Sequence, residues 1–161
     1  MTQAHNVMRH GRGQDEEERV GALLDRELDD VAIVLHDLHV PGSEVRVDHV
    51  VVAPTGLWVV DSTLRGELEL EVDAVDASAS VDAIERHVAV MASAVNGRAK
   101  DVPIRAALCF HAEYWGEAAP KPFWIDGVLV THPADLVERV RAAGPLDEDT
   151  VGWIAARLSL E

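Results

Sequence analysis

The chain has 161 residues, with 14 basic against 29 acidic ones and a formal net charge of −15. That length suits one domain that buries about 70% of its unfolded surface, and a 48% hydrophobic composition supplies the core. The acidity argues against a strong nucleic-acid binder, which presents a basic face. It leaves room for a metal-dependent nuclease, whose carboxylates a divalent ion offsets locally. No apolar run approaches the roughly 20 residues needed to span a bilayer, and the N-terminus lacks the apolar stretch of a signal peptide. Cys109 is the only cysteine, so no intrachain disulfide is possible. Within the apolar run Ile104–Phe110 it reads as a small buried hydrophobe, and a soluble protein of the reducing cytoplasm is expected.

Residues 1–14 are polar and aperiodic and read as a mobile leader to a single domain over 15–161. A helix is expected from about Asp15 to Asp29, because Val20, Leu23, Leu24 and Leu28 share one face and acidic residues crowd the first turn. Val31–Leu38 reads as a strand and Pro41-Gly42-Ser43 as a turn. Val45–Ala53 and Gly56–Asp61 read as a β-hairpin closed by Ala53-Pro54-Thr55-Gly56, with proline and glycine where a tight turn wants them. Glu67–Val72 alternates as a half-exposed strand does. Val81, Ile84, Val88, Met91 and Val95 predict an amphipathic helix over 81–96. Pro103–Phe110 follows as a buried strand, 111–126 as a loop packed by its aromatics, and Gly127–Val130 as a short strand. Pro133 opens a helix to about Ala143, and Asp147 caps a final one. The order is mixed α/β, with a mixed sheet, flanking helices and extra C-terminal helices.

Alternate residues of a strand share a face. Asp48 lies with Arg46, Val50 and Val52; Asp61 lies with Leu57, Val59 and, if the strand continues, Thr63. A carboxylate among valines is costly to bury unless it is paired or bound to a metal. Two on adjacent hairpin strands can converge on one Mg²⁺, which takes a few carboxylates plus water and substrate phosphate.

The stretch from Val34 to Asp61, VLHDLHVPGSEVRVDHVVVAPTGLWVVD, resembles the signature of the NERD (nuclease-related) domain family, densely over residues 34–66. The likeness extends to the first helix, to AALCF and to DGVLVTHPADLVERV. The family is similar to the PD-(D/E)xK nucleases, which implies an αβββαβ core and Mg²⁺- or Mn²⁺-dependent DNA cleavage in active members. By position, Asp48 matches the first acidic residue, Asp61 the acid of the D/E-x-K element and Glu17 the helix glutamate, with Glu18 the alternative one residue on. These three are the implied metal ligands. The lysine position holds Thr63, and the segment Asp61–Gly66 is a residue shorter than is usual in the family. A hydroxyl holds water but supplies no positive charge to a developing anion.

The resemblance with that departure implies a degenerate nuclease-like module that binds or regulates, meeting DNA weakly or a protein partner. The alternatives are an active nuclease whose cation comes from Arg46, Arg65 or a partner chain, and a structural protein without a ligand. Other residues invite plainer readings. His49 alternates away from Asp48 and reads as a core or hydrogen-bonded histidine. His36 and His39, three apart, fall on opposite faces of a strand. His111 and Glu113 share a spacing at a loop entrance where nothing else converges. Glu67, Glu69 and Glu71 read as a solvated sheet face.

Overall fold

The computed structural model describes residue 15 and residues 17–63, 74–95, 102–110 and 121–159. The leader over residues 1–14 and the strand expected at Glu67–Val72 lie outside these. Helix α1 spans residues 17–28. Its Val20, Leu24 and Leu28 recur at four-residue steps and are fully buried, the stripe that predicts the helix. Strand β1 (Ile33–His39), β2 (Arg46–Ala53) and β3 (Gly56–Thr63) form an antiparallel meander, with Ala53 across from Gly56 at the expected hairpin turn. Helix α2 (Ala74–Val95) then crosses to β4 (Ile104–Phe110), which runs parallel to β3.

The aromatic stretch departs from the expected loop. Phe123–Ile125 is a strand, β5, paired antiparallel with β6 (Val128–Thr131). The turn between them is Asp126-Gly127, both with left-handed backbone (φ 49° and 82°). That Asp-Gly pair matches a primed hairpin turn, whose twist suits the flanking strands. The sheet order is β1-β2-β3-β4-β6-β5, with β6 parallel to β4. Helices α3 (Pro133–Val140) and α4 (Glu148–Leu158) complete the chain, and the Asp147 carboxylate accepts from the Thr150 amide at 2.8 Å as the cap of α4. Together, α1-β1-β2-β3-α2-β4 is the expected αβββαβ core.

The sheet is covered on both faces. Val50, Val52, Leu57, Val59, Ala106 and Leu108 pack under α2 and α4. Val51, Ala53, Trp58, Val60, Ala107 and Cys109 pack under α1 and α3. Two-sided burial explains the continuous valines of β2, since both parities must be apolar. Cys109 is fully buried, as expected.

Candidate metal centre

Alternation puts Asp48 in line with Val50 and Val52, and Asp61 in line with Leu57 and Val59, all on the face covered by α2. The β2–β3 ladder ends at His49↔Val60. Continuing its register by one step sets Asp48 across from Asp61. The β1–β2 register, between His36↔His49 and Leu38↔Val47, sets Asp37 across from Asp48 on the other side. Three aspartates therefore sit side by side on neighbouring strands.

Burial is the main force on Asp48. Desolvation raises its pKa from 3.8 to about 7, because a charged carboxylate loses its hydration there. The nearby charges of Asp61 and Glu17 raise it further, whereas the Ser62 backbone amide, donating to Asp48 Oδ2 at 3.0 Å, and His87 work the other way. Asp61 faces His87 of α2, with His87 Nδ1 3.2 Å from Asp61 Oδ2. His87 Nδ1 and Asp61 Oδ1 are both buried without a hydrogen-bond partner. The close pairing with Asp61 still raises the His87 pKa above 6.5, against the opposing effect of burial.

Glu17 belongs to α1, whose apolar stripe packs on the opposite face of the sheet. Its pKa is raised, first by desolvation and then by Asp37 and Asp61, while Arg46 lowers it. Glu17 thus reaches the carboxylates electrostatically from the other side of the strand ends. Glu18, the alternative register, is exposed. Arg46 is spoken for: its Nη2 donates to Asp37 Oδ2 at 2.6 Å. Asp37 itself has left-handed backbone (φ 46°), an unusual state for a non-glycine residue that recurs at functional sites. Thr63 extends β3 and pairs with Phe110, two residues past Asp61 and so at the same parity. Arg65, Glu67, Glu69, Glu71, His111 and Glu113 lie outside the described residues.

His49 is the buried, hydrogen-bonded histidine expected. Its Nε2 lies 3.1 Å from Ser62 Oγ and its Nδ1 2.9 Å from His36 Nδ1. Desolvation, then the neighbouring His36, lowers its pKa to about 4. His36 Nε2 in turn contacts Asp25 Oδ1 at 2.8 Å.

Sequence reasoning missed His87 and Asp37. His87 stands three residues after Ile84 and four before Met91, so the helical period had already placed a titratable group on the buried stripe. Asp37 carries no comparable signal: an exposed strand aspartate looks like any other.

The donors that a small, hard divalent cation could meet here are the Asp48 and Asp61 carboxylates. Two half-buried carboxylates, one with an orphaned oxygen, suit Mg²⁺ or Mn²⁺, which bind through one or two carboxylates and retain several waters. Among the described residues no group of three or more His, Cys, Asp or Glu side chains is placed to hold a metal ion. No helix among them is long and apolar enough to cross a membrane.

Comparison with known proteins agrees with this architecture. A chain from a Thermococcus gammatolerans assembly of McrB AAA+ hexamers with bound McrC is similar at 16% identity and a TM-score of 0.50. The likeness covers 74% of this chain and 27% of that one, so this chain spans about a quarter of its neighbour. At that identity it speaks for the fold alone. No curated protein matches the chain. The nuclease-related domain model matches residues 12–111, more than half of the sequence and the span that holds Glu17, Asp48, Asp61 and the whole αβββαβ core, and the chain belongs to the NERD family.

Proposed function

We propose that this chain holds one Mg²⁺ or Mn²⁺ between Asp48 and Asp61, with Glu17 at its margin, and that it cleaves phosphodiesters poorly or not at all, serving as a binding or regulatory module. The observation that carries this reading is Thr63, which stands at the motif's lysine position two residues past Asp61 on β3 and supplies no positive charge to a developing anion.

When bound, the cation would supply a Lewis acid and a water more acidic than bulk. The chain's own contribution is placement. The Ser62 amide holds Asp48 by one oxygen, and the orphaned Asp61 Oδ1 is a second donor on the same face. Desolvation keeps Asp48 ready to accept positive charge, because a nearby cation relieves the cost of ionising it. No lysine among the described residues is tied to either aspartate, and Arg46 is directed at Asp37.

The acidic surface supports weak DNA encounter at most. The structural neighbour comes from a multi-chain assembly, and a protein partner is the corresponding proposal here. A cytoplasmic setting accords with the lone buried Cys109.

A second reading is an active nuclease. Its support is His87, a pairable cation already beside Asp61, where Arg46, Arg65 or a partner chain would otherwise be needed. Incubation of purified protein with linear and supercoiled DNA in Mg²⁺ or Mn²⁺ separates the two. Little or no cleavage is expected; robust cleavage that vanishes in Asp61→Ala would establish the active reading.

A further inference from the structure

Glu17, Gly21 and Asp25 follow at four-residue steps, so they form one stripe along α1 beside the buried Val20, Leu24 and Leu28. From that stripe a continuous chain of polar contacts runs across three strands. Asp25 Oδ1 meets His36 Nε2 at 2.8 Å, and His36 Nδ1 meets His49 Nδ1 at 2.9 Å with the rings edge to face. His49 Nε2 meets Ser62 Oγ at 3.1 Å, and the Ser62 amide donates to Asp48 Oδ2 at 3.0 Å. Gly21 makes the room. A Cβ there would lie 3.1 Å from His49 Cε1 and 3.3 Å from His36 Nδ1.

With both rings neutral, one assignment of donors and acceptors satisfies every link. A carboxylate only accepts, so His36 Nε2 donates to Asp25; with both rings neutral, His36 Nδ1 accepts from His49, and His49 Nε2 is left to accept the Ser62 hydroxyl. The chain of contacts thus ends on the Ser62 hydroxyl, in the residue whose backbone amide donates to Asp48. We infer that Asp25, His36 and His49 are positioning residues that set the orientation of Asp48 through Ser62. In its link to cation uptake the inference rests on the function proposed above; the coupling of Asp25 to Ser62 does not.

The test is Asp25→Ala in the full ¹⁵N-labelled chain, with Asp25→Asn as the conservative variant that keeps an acceptor for His36. Asp25 is over half exposed, so the fold tolerates either change. The Ser62 amide proton should move upfield in Asp25→Ala and return most of the way in Asp25→Asn. Losing the partner that orients a metal ligand typically weakens affinity about 10–100-fold; from three links away, a Mn²⁺ affinity about tenfold lower by calorimetry is expected. An unmoved Ser62 amide in Asp25→Ala would overturn the inference, as would equal shifts in the two variants. Amide shifts spread evenly over β4 and β6 would also overturn it, because they mark general loosening. Wild-type protein that takes up no Mn²⁺ would remove the cation reading, while the Ser62 response still decides the coupling.

Discussion

His87 Nδ1 lies 3.2 Å from Asp61 Oδ2, so the carboxylate that shares a face with Asp48 is met from above by a histidine of α2. Asp61 lies under the helix that carries His87, and each group retains a buried atom with no hydrogen bond. The strength of this close pairing depends on the His87 proton.

His87→Gln should therefore lower stability in a pH-dependent way. The native pKa of His87 is raised above 6.5, so its stabilising contribution is complete below pH 6.5 and fades as pH rises through the native value. Thermal melts should show a loss of about 1 kcal/mol at pH 6, the scale of a partly buried ion pair, shrinking towards pH 9. A loss independent of pH would mean that His87 acts by packing alone.

Asp48→Asn should stabilise the cation-free protein at neutral pH. The native carboxyl keeps its proton up to about pH 7, whereas the unfolded chain releases it near 4. The native state binds more protons in between, so wild-type stability falls across that window. Asparagine removes the penalty and still accepts from the Ser62 amide. Denaturant melts should show a gain on the order of 1–3 kcal/mol at pH 8 and almost none at pH 4. Destabilisation at pH 8 would contradict the buried-charge account.

Much of this was legible in the residues. The Val45–Ala53 and Gly56–Asp61 hairpin, its turn, and the shared face of Asp48 and Asp61 follow from turn chemistry and a period of two. The resemblance supplied Glu17 and the lysine position at Thr63. Strand β5 was hidden because Phe123 and Trp124 follow a proline- and glycine-rich stretch, and the turn pair Asp126-Gly127 is split between the expected loop over 111–126 and the expected strand Gly127–Val130. His87 was hidden differently. It arrives from a helix 26 residues after Asp61 in sequence, a tertiary approach that only the packing of α2 on β3 and β4 fixes.

The Asp-Gly turn can be tested directly. Gly127 has φ 82° with nothing near its missing Cβ, so alanine meets no clash and pays only the cost of left-handed backbone. Gly127→Ala should destabilise by about 1 kcal/mol in thermal melts. A neutral result would mean that the β5–β6 hairpin is not closed by this turn.

Thr63→Lys should add what the site lacks. Removing one preorganised donor typically lowers a rate about 10²–10³-fold, so restoring an ammonium two residues from Asp61 can raise Mn²⁺-dependent DNA cleavage by up to about 10²-fold over wild type. The short segment after Asp61 works against full recovery. Cleavage no greater than wild type, with Mn²⁺ uptake intact, would show that the cation is not the missing element.

The central claim is that Asp48 and Asp61 share one divalent cation, and calorimetric titration of Mn²⁺ into wild-type protein and Asp61→Ala tests it most directly. One Mn²⁺ per wild-type chain, with the heat lost in Asp61→Ala, is the expected result. No uptake by wild-type protein, or equal uptake by the variant, would contradict it.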